Sequence, residues 1–210
     1  MVYDQEIAKQ VAAYLLEIQA VKLSPKEPFT WASGIKSPIY CDNRITLSYP
    51  PIRKFIQEQF SDAIRKQTGI PELIAGVATG GIAQGALVAG DLNLPFAYVR
   101  TTRKDHGLTN LIEGKTEPGQ SVVVIEDLIS TGKSSLEVVR ALREAGCNVT
   151  GMLAIFTYNL TVAINGFTEA VCPLITLTDY DILVEKALEI NYITRDDLSE
   201  LIDFKRRLNQ

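Results

Sequence analysis

The residues with the most chemistry lie in one stretch, Val122-Val123-Val124-Ile125-Glu126-Asp127-Leu128-Ile129-Ser130-Thr131-Gly132-Lys133-Ser134. An apolar, strand-like run delivers two carboxylates and then a hydroxyl-rich turn that opens a helix. Gly132 lets backbone approach an anion, the free N–H groups at the start of the following helix favour a phosphate, and Ser130, Thr131 and Ser134 supply hydroxyl donors. Ionised Glu126 and Asp127 accept hydrogen bonds from sugar hydroxyls and repel phosphate, so the order suits the two ends of a sugar phosphate. Neighbouring strand residues point to opposite faces, and both carboxylates reach one ligand only if the strand has ended before them. The strand is therefore expected to span Ser121 to Ile125.

A second turn, Gly76-Val77-Ala78-Thr79-Gly80-Gly81, also follows an apolar run and precedes a helix, and its backbone amides could hold a pyrophosphate. Between the two lies Arg100-Thr101-Thr102-Arg103-Lys104-Asp105-His106-Gly107-Leu108-Thr109-Asn110, which holds the single histidine of the chain and attracts a polyanion. A loop of this length is commonly a lid or a binding loop. Gly132-Lys133-Ser134 imitates the end of a nucleotide-binding P-loop, but Asp127 stands where that motif needs its first glycine. No G-x-G-x-x-G follows a strand, so a dinucleotide site loses its support as well.

The elements that must carry these turns read as an α/β alternation. Apolar residues at Ile7, Val11, Leu15 and Ile18 predict an amphipathic helix, and Pro50-Pro51 begins another through Ile52, Phe55, Ile56, Phe60 and Ile64. Short β-leaning runs at Phe29–Trp31 and Pro38–Cys41 flank a turn at Ser33-Gly34. Strands are expected at Leu73–Val77, Pro95–Arg100, Ser121–Ile125, Val149–Phe156 and Val171–Leu177, with helices at Ile82–Asp91, Lys133–Ala145 and Asp179–Glu189. Thr194 with Asp197 caps a last helix. Continuous Val/Ile runs suit strands covered on both faces, hence a mostly parallel sheet.

Composition narrows the function classes. With 210 residues, 46% of them hydrophobic, the chain is long enough for one well-buried core without disulfides or metals as staples. Its formal charge of -4 argues against a nucleic-acid coat protein, which needs a basic face. Cys41, Cys147 and Cys172 form neither a C-x-x-C pair nor an even framework, which fits a reducing cytoplasm. Charges at Asp4, Glu6 and Lys9 leave no signal-peptide core, and no apolar run is long enough for a membrane span.

The Val122–Ser134 segment resembles the phosphoribosyl pyrophosphate motif of type I phosphoribosyltransferases. Phe29-Thr30-Trp31-Ala32-Ser33-Gly34-Ile35-Lys36-Ser37-Pro38-Ile39-Tyr40 and Arg100 through Lys104-Asp105-His106-Gly107 are similar to the substrate segment and mobile catalytic loop of the orotate phosphoribosyltransferases. The resemblance covers nearly the whole chain. It implies a doubly wound, mostly parallel α/β sheet flanked by helices in a single domain, 1–210, with 1–50 supplying most of a small N-terminal hood. It also implies transfer of a phosphoribosyl group from phosphoribosyl pyrophosphate to orotate in pyrimidine synthesis.

By the same resemblance, Lys104, His106 and Asp127 are catalytic. Arg100, Lys104, His106 and the run Glu126, Asp127, Leu128, Ile129, Ser130, Thr131, Gly132, Lys133 and Ser134 bind the donor, Thr79, Gly80 and Gly81 form the pyrophosphate turn, and Ser130 and Tyr40 lie near orotate. Mg2+ is expected on substrate oxygens without side-chain ligands, and a cytoplasmic homodimer is expected to share its active sites, with neither nucleic acid nor membrane as partner. The chain departs from some orotate enzymes in having Ala32, Gly80 and Thr101 where they carry basic residues, and no arginine in Thr157-Tyr158-Asn159-Leu160. Two other readings use the same motifs: a regulator that senses the ribose donor and binds nucleic acid, which lacks a basic face here, and a purine-specific transferase, against which the Phe29–Tyr40 segment argues.

Overall fold

The computed structural model describes residues 1–31, 34–100 and 111–210. Helix α1 (Gln5–Glu17) starts on Asp4, whose carboxylate accepts from the N–H groups of Glu6 and Ile7. Two small antiparallel pairs follow, β1 (Val21–Leu23) with β4 (Ile39–Cys41) and β2 (Phe29–Thr30) with β3 (Lys36–Ser37). A 3-10 turn, Asn43–Ser48, leads into α2 (Pro50–Ala63), which begins on its two prolines as expected.

The core then alternates: β5 (Leu73–Val77), α3 (Gly80–Leu92), β6 (Phe96–Val99), β7 (Ile112–Glu113), β8 (Ser121–Ile129), α4 (Lys133–Glu144), β9 (Asn148–Thr157), α5 (Thr161–Glu169), β10 (Leu174–Asp179), α6 (Tyr180–Glu189) and α7 (Arg195–Leu208). The sheet order is β10-β9-β8-β5-β6-β7, parallel throughout except for the edge pair β6/β7. From β5 the chain winds outward to β6, and from β8 it winds the other way through β9 to β10. Adjacent strands β5 and β8 therefore form the switch point of a doubly wound sheet, where a crevice opens beyond the carboxyl ends of the strands.

Strand β8 shows why its apolar run is unbroken. Val123 and Ile125 enter the buried cluster that includes α1, α2, α3, α6 and α7, whereas Val122 and Val124 enter the cluster formed with α4 and α5. A sheet covered on both faces needs apolar residues at every position. In the N-terminal part, α1 packs on β10 and α6, and Val2 bridges to Thr176 at the sheet edge, which leaves the two small strand pairs and the 3-10 turn after them as an annex.

Three expectations about elements are corrected. Strand β8 does not end at Ile125 but runs through the acidic pair to Ile129, because β9 keeps pairing with it at Glu126↔Ala154, Leu128↔Phe156 and Ile129↔Thr157. The last strand starts at Leu174 rather than Val171, which is exposed in the turn after α5 with φ +48°. Helix α5 itself was not anticipated: Thr161-Val162-Ala163-Ile164-Asn165-Gly166 is rich in weak helix formers, and burial of Ala163 and Phe167 outweighs that propensity. The cap on α7 matches its expectation, with Thr194 and Asp197 forming a reciprocal capping box.

Candidate active site

A cleft of about 450 Å3 opens at the switch point, lined by the turn after β5, by Glu126, Asp127 and Leu128 of β8, by Ser134 of α4, and by Cys41, Asp42 and Arg44 from the annex. The two glycine-bearing turns, about fifty residues apart in sequence, meet here because β5 and β8 are neighbours in register, the last pair being Gly76↔Ile125. Beyond that pair β8 keeps only β9 as partner, and the start of α3 presses against its freed edge. A Cβ on Gly81 would fall onto the Ile125 carbonyl oxygen, and one on Gly80 would fall within the Asp127 carboxyl group. Gly81 is thus required by close approach of helix to strand backbone, whereas at Gly80 the group in the way is the Asp127 side chain. The turn between them and β5 contains a cis Ala78–Thr79 peptide.

Loss of β5 as a neighbour also explains how adjacent strand residues serve one cleft. Glu126 is only 5% exposed; its Oε2 accepts from Ser135 Oγ at 3.0 Å and its Oε1 from the Asp127 N–H at 2.9 Å. Burial pushes the Glu126 carboxyl well above the ordinary carboxylate range, and the neighbouring Asp127 carboxylate raises it further. Asp127 is less buried, stands over Gly80, and has its backbone carbonyl held by Asn43 Nδ2 at 2.6 Å. The pair thus offers a retained proton on Glu126 beside a carboxylate able to accept sugar hydroxyls.

Helices α3 and α4 both start at the cleft and, like α2 and α5 but unlike α1, α6 and α7, have no side-chain cap. Their first-turn N–H groups are left without side-chain acceptors at the cleft. Gly132 caps α4 in the left-handed region at φ +76°, with Phe167 of α5 packed behind it, where a Cβ would come within 3.0 Å of the ring. Ser130, Thr131, Lys133 and Ser134 are exposed along this turn.

The other expected site residues divide clearly. Thr79, Gly80, Glu126, Asp127, Leu128 and Ser134 share the cleft. Ile129 has its side chain fully buried in the core, and its carbonyl accepts from the Tyr158 N–H at 3.0 Å, so its side chain presents nothing to a ligand. Arg100 pairs with Glu113 at 3.5 Å at the end of β6. Tyr40 is 42% exposed and packs against Phe29 with ring centroids 5.7 Å apart, beside the cleft rather than in its lining. Lys104 and His106, with the rest of 101–110, lie outside the described residues, as do Ala32 and Ser33.

Sequence reasoning passed over Asp42, Asn43 and Arg44. Their signal was present: three polar residues directly after a β-leaning run, with opposite charges two apart. Asn43 is 1% exposed, and besides holding Asp127 it accepts from Cys41 Sγ at 3.2 Å. Asp42 and Arg44 form a two-point ion pair at the mouth of the cleft.

Comparison with known proteins agrees with this geometry. Residues 46–159 match the family model of the phosphoribosyl transferase domain, a span that contains both turns and the acidic strand. Over 200 residues the chain is 56% identical to an orotate phosphoribosyltransferase of Phocaeicola vulgatus, covering 95% of this chain and 94% of that one. The chain belongs to the orotate phosphoribosyltransferase family. It is accordingly an enzyme, a transferase of phosphoribosyl groups. Among solved structures, an orotate phosphoribosyltransferase from Aeropyrum pernix superposes with a TM-score of 0.76 at 25% identity, covering 88% of this chain and 99% of that one. The UMP synthase of Leishmania donovani superposes with a TM-score of 0.79 at 23% identity; 95% of this chain is covered but only 42% of that longer protein, and the likeness is one of fold. The doubly wound, mostly parallel sheet is thus the family's architecture.

Proposed function

We propose that the cleft carries out the family's reaction with the residues the two turns bring together: transfer of the 5-phosphoribosyl group from phosphoribosyl pyrophosphate to a ring nitrogen of orotate, giving orotidine 5'-monophosphate and pyrophosphate. The observation that carries this reading is the meeting of the Thr79-Gly80 turn, the Glu126–Asp127 strand and the α4 start in one cleft. The uncapped start of α4 with Ser130 to Ser134 holds the 5'-phosphate, the acidic pair holds the ribose hydroxyls, and Thr79, Gly80 and Gly81 hold the pyrophosphate. Breaking the bond from ribose C1 to pyrophosphate leaves positive charge on the sugar and added negative charge on the leaving group. Arg100, Lys104 and His106 are assigned to that anion, and closure of the 100–110 loop excludes water that would otherwise capture the sugar.

Mg2+ takes hard oxygen ligands and keeps several waters. The cleft suits it: the Asp127 carboxylate and the Thr79 and Ser134 hydroxyls are oxygen donors, whereas burial pushes the Cys41 thiol well above its ordinary range and keeps it protonated. In this reading the ion rides on substrate oxygens near Asp127 and, when bound, supplies charge neutralisation to the pyrophosphate.

Residues 1–210 are read as one transferase domain whose hood comes mostly from 1–50. The enzyme is read as a homodimer whose catalytic loop reaches the neighbouring site. A cytoplasmic location is supported by three free cysteines. Among the described residues no helix is long and apolar enough to cross a membrane.

The test mixes the purified protein with orotate, phosphoribosyl pyrophosphate and Mg2+ and follows orotate absorbance. Orotate consumption matched by pyrophosphate release is expected. Consumption of uracil, hypoxanthine or adenine with orotate untouched would overturn the assignment of the base.

A further inference from the structure

One group in the cleft has no part in the roles above. The 3-10 turn after β4 brings Arg44 to the annex side of the cleft, and among the described lining residues it is the one lysine, arginine or histidine. Its guanidinium is held from one edge: Nε donates to Asp42 Oδ1 at 2.7 Å, Nη2 donates to Asp42 Oδ2 at 2.9 Å, and the Arg44 backbone N–H donates to Oδ1 at 3.2 Å. This clamp orients the planar fork and leaves the Nη1 edge for a ligand, with the side chain 59% exposed.

The other walls are already matched to the ribose donor. The starts of α3 and α4 serve its phosphorylated ends, and the acidic strand between them serves the sugar. Displacement at ribose C1 sets the incoming base across the sugar from the departing pyrophosphate, and the annex is the wall that remains for it. Orotate differs from uracil by a ring carboxylate. In a cleft whose lining includes the Asp42 and Asp127 carboxylates such a group is repelled unless a cation meets it. The Asp42 carboxylate, and more weakly that of Asp127, favour the charged guanidinium.

We propose that Arg44, oriented by Asp42, receives the ring carboxylate of orotate and thereby sets the preference for orotate over pyrimidines without that group. The planar, two-donor edge of a guanidinium is the natural partner for a carboxylate. The inference rests on the orotate reading above and assigns to one side chain the discrimination that reading requires.

Orotidine 5'-monophosphate and uridine 5'-monophosphate differ only in this carboxylate, so their relative affinity isolates the contact. Calorimetric titration of both into wild type, R44Q, R44K and D42N is the experiment. Wild type should prefer the carboxylated nucleotide, and R44Q should reduce that preference by at least about tenfold, the worth of a charge-assisted pair. Uridine 5'-monophosphate affinity should stay within about twofold of wild type, which also reports an intact fold. R44K should keep part of the preference, and D42N should lose part of it because the fork is no longer oriented.

The assignment is overturned if R44Q weakens both nucleotides equally, if the preference survives, or if the loss falls on pyrophosphate affinity instead. Should R44Q bind neither nucleotide, R44K decides by the same ratio. A wild type that turns over orotate while R44Q keeps its preference overturns only the role of Arg44. A wild type without orotate turnover overturns the underlying reading as well.

Discussion

Replacing Gly81 with alanine tests whether contact between α3 and β8 builds the cleft. The added Cβ falls onto the Ile125 carbonyl oxygen, 3.1 Å from its carbon and 3.2 Å from Glu126 Cα. These are backbone atoms of a paired central strand, so no side chain can swing aside. Helix and strand must part by about 1 Å to restore ordinary van der Waals contact, and overpacking of that kind costs about 1–3 kcal/mol. For a chain of this size that corresponds to a fall of about 2–12 °C in Tm. The same displacement moves Thr79-Gly80 relative to Glu126–Asp127, and a misplacement of about 1 Å at a reacting centre lowers kcat/KM by about 100-fold. Gly90 in the same helix has nothing within 4 Å of its would-be Cβ. Gly90→Ala should therefore raise stability by about 0.5–1 kcal/mol and leave activity unchanged. Thermal melts and steady-state kinetics on the two variants form the assay. A Gly81→Ala protein melting within about 1 °C of wild type with full kcat/KM would refute the reasoning.

Three further outcomes follow from the site. Glu126 binds its proton more tightly folded than unfolded, so its contribution to stability is present below the unfolded value of 4.5 and is lost as pH rises toward the raised folded value. The Tm of Glu126→Gln relative to wild type should accordingly climb as pH rises above the unfolded value of 4.5, and a flat difference would remove the retained proton. Asn43→Ala strips a buried donor from the Asp127 carbonyl and should cost about 1–3 kcal/mol in denaturant unfolding, with a drop in kcat/KM; wild-type values for both would show the tie to be idle. Lys104→Ala should lower turnover more than about tenfold, since a charged contact to the leaving group is worth a few kcal/mol, and unchanged rates would take Lys104 out of the mechanism.

Local chemistry was legible in the amino-acid order. The unbroken Val122–Ile125 run announced a strand covered on both faces, Thr194 with Asp197 announced a helix start, and Gly132 among hydroxyls announced a turn that opens a helix, because each depends on residues within one or two turns of chain. The end of β8 was misjudged because it depends on β9, which continues to pair with the acidic stretch after β5 has turned away. Helix α5 was missed because burial of Ala163 and Phe167 among distant residues on one face of the sheet outweighs a poor local propensity.

What the sequence determined by itself was the pair of glycine-bearing turns, the acidic dipeptide and the alternation of strand and helix, all written in neighbouring residues. Tertiary structure alone decided that β5 and β8 lie side by side with their connections running opposite ways, which makes one cleft of two turns. It also decided that Asn43 grips a carbonyl 84 residues away and that Arg44 faces the acidic strand. The physical reason is that strand order and annex docking arise from burying both faces of the whole sheet at once, a sum over distant contacts that no short stretch of sequence displays.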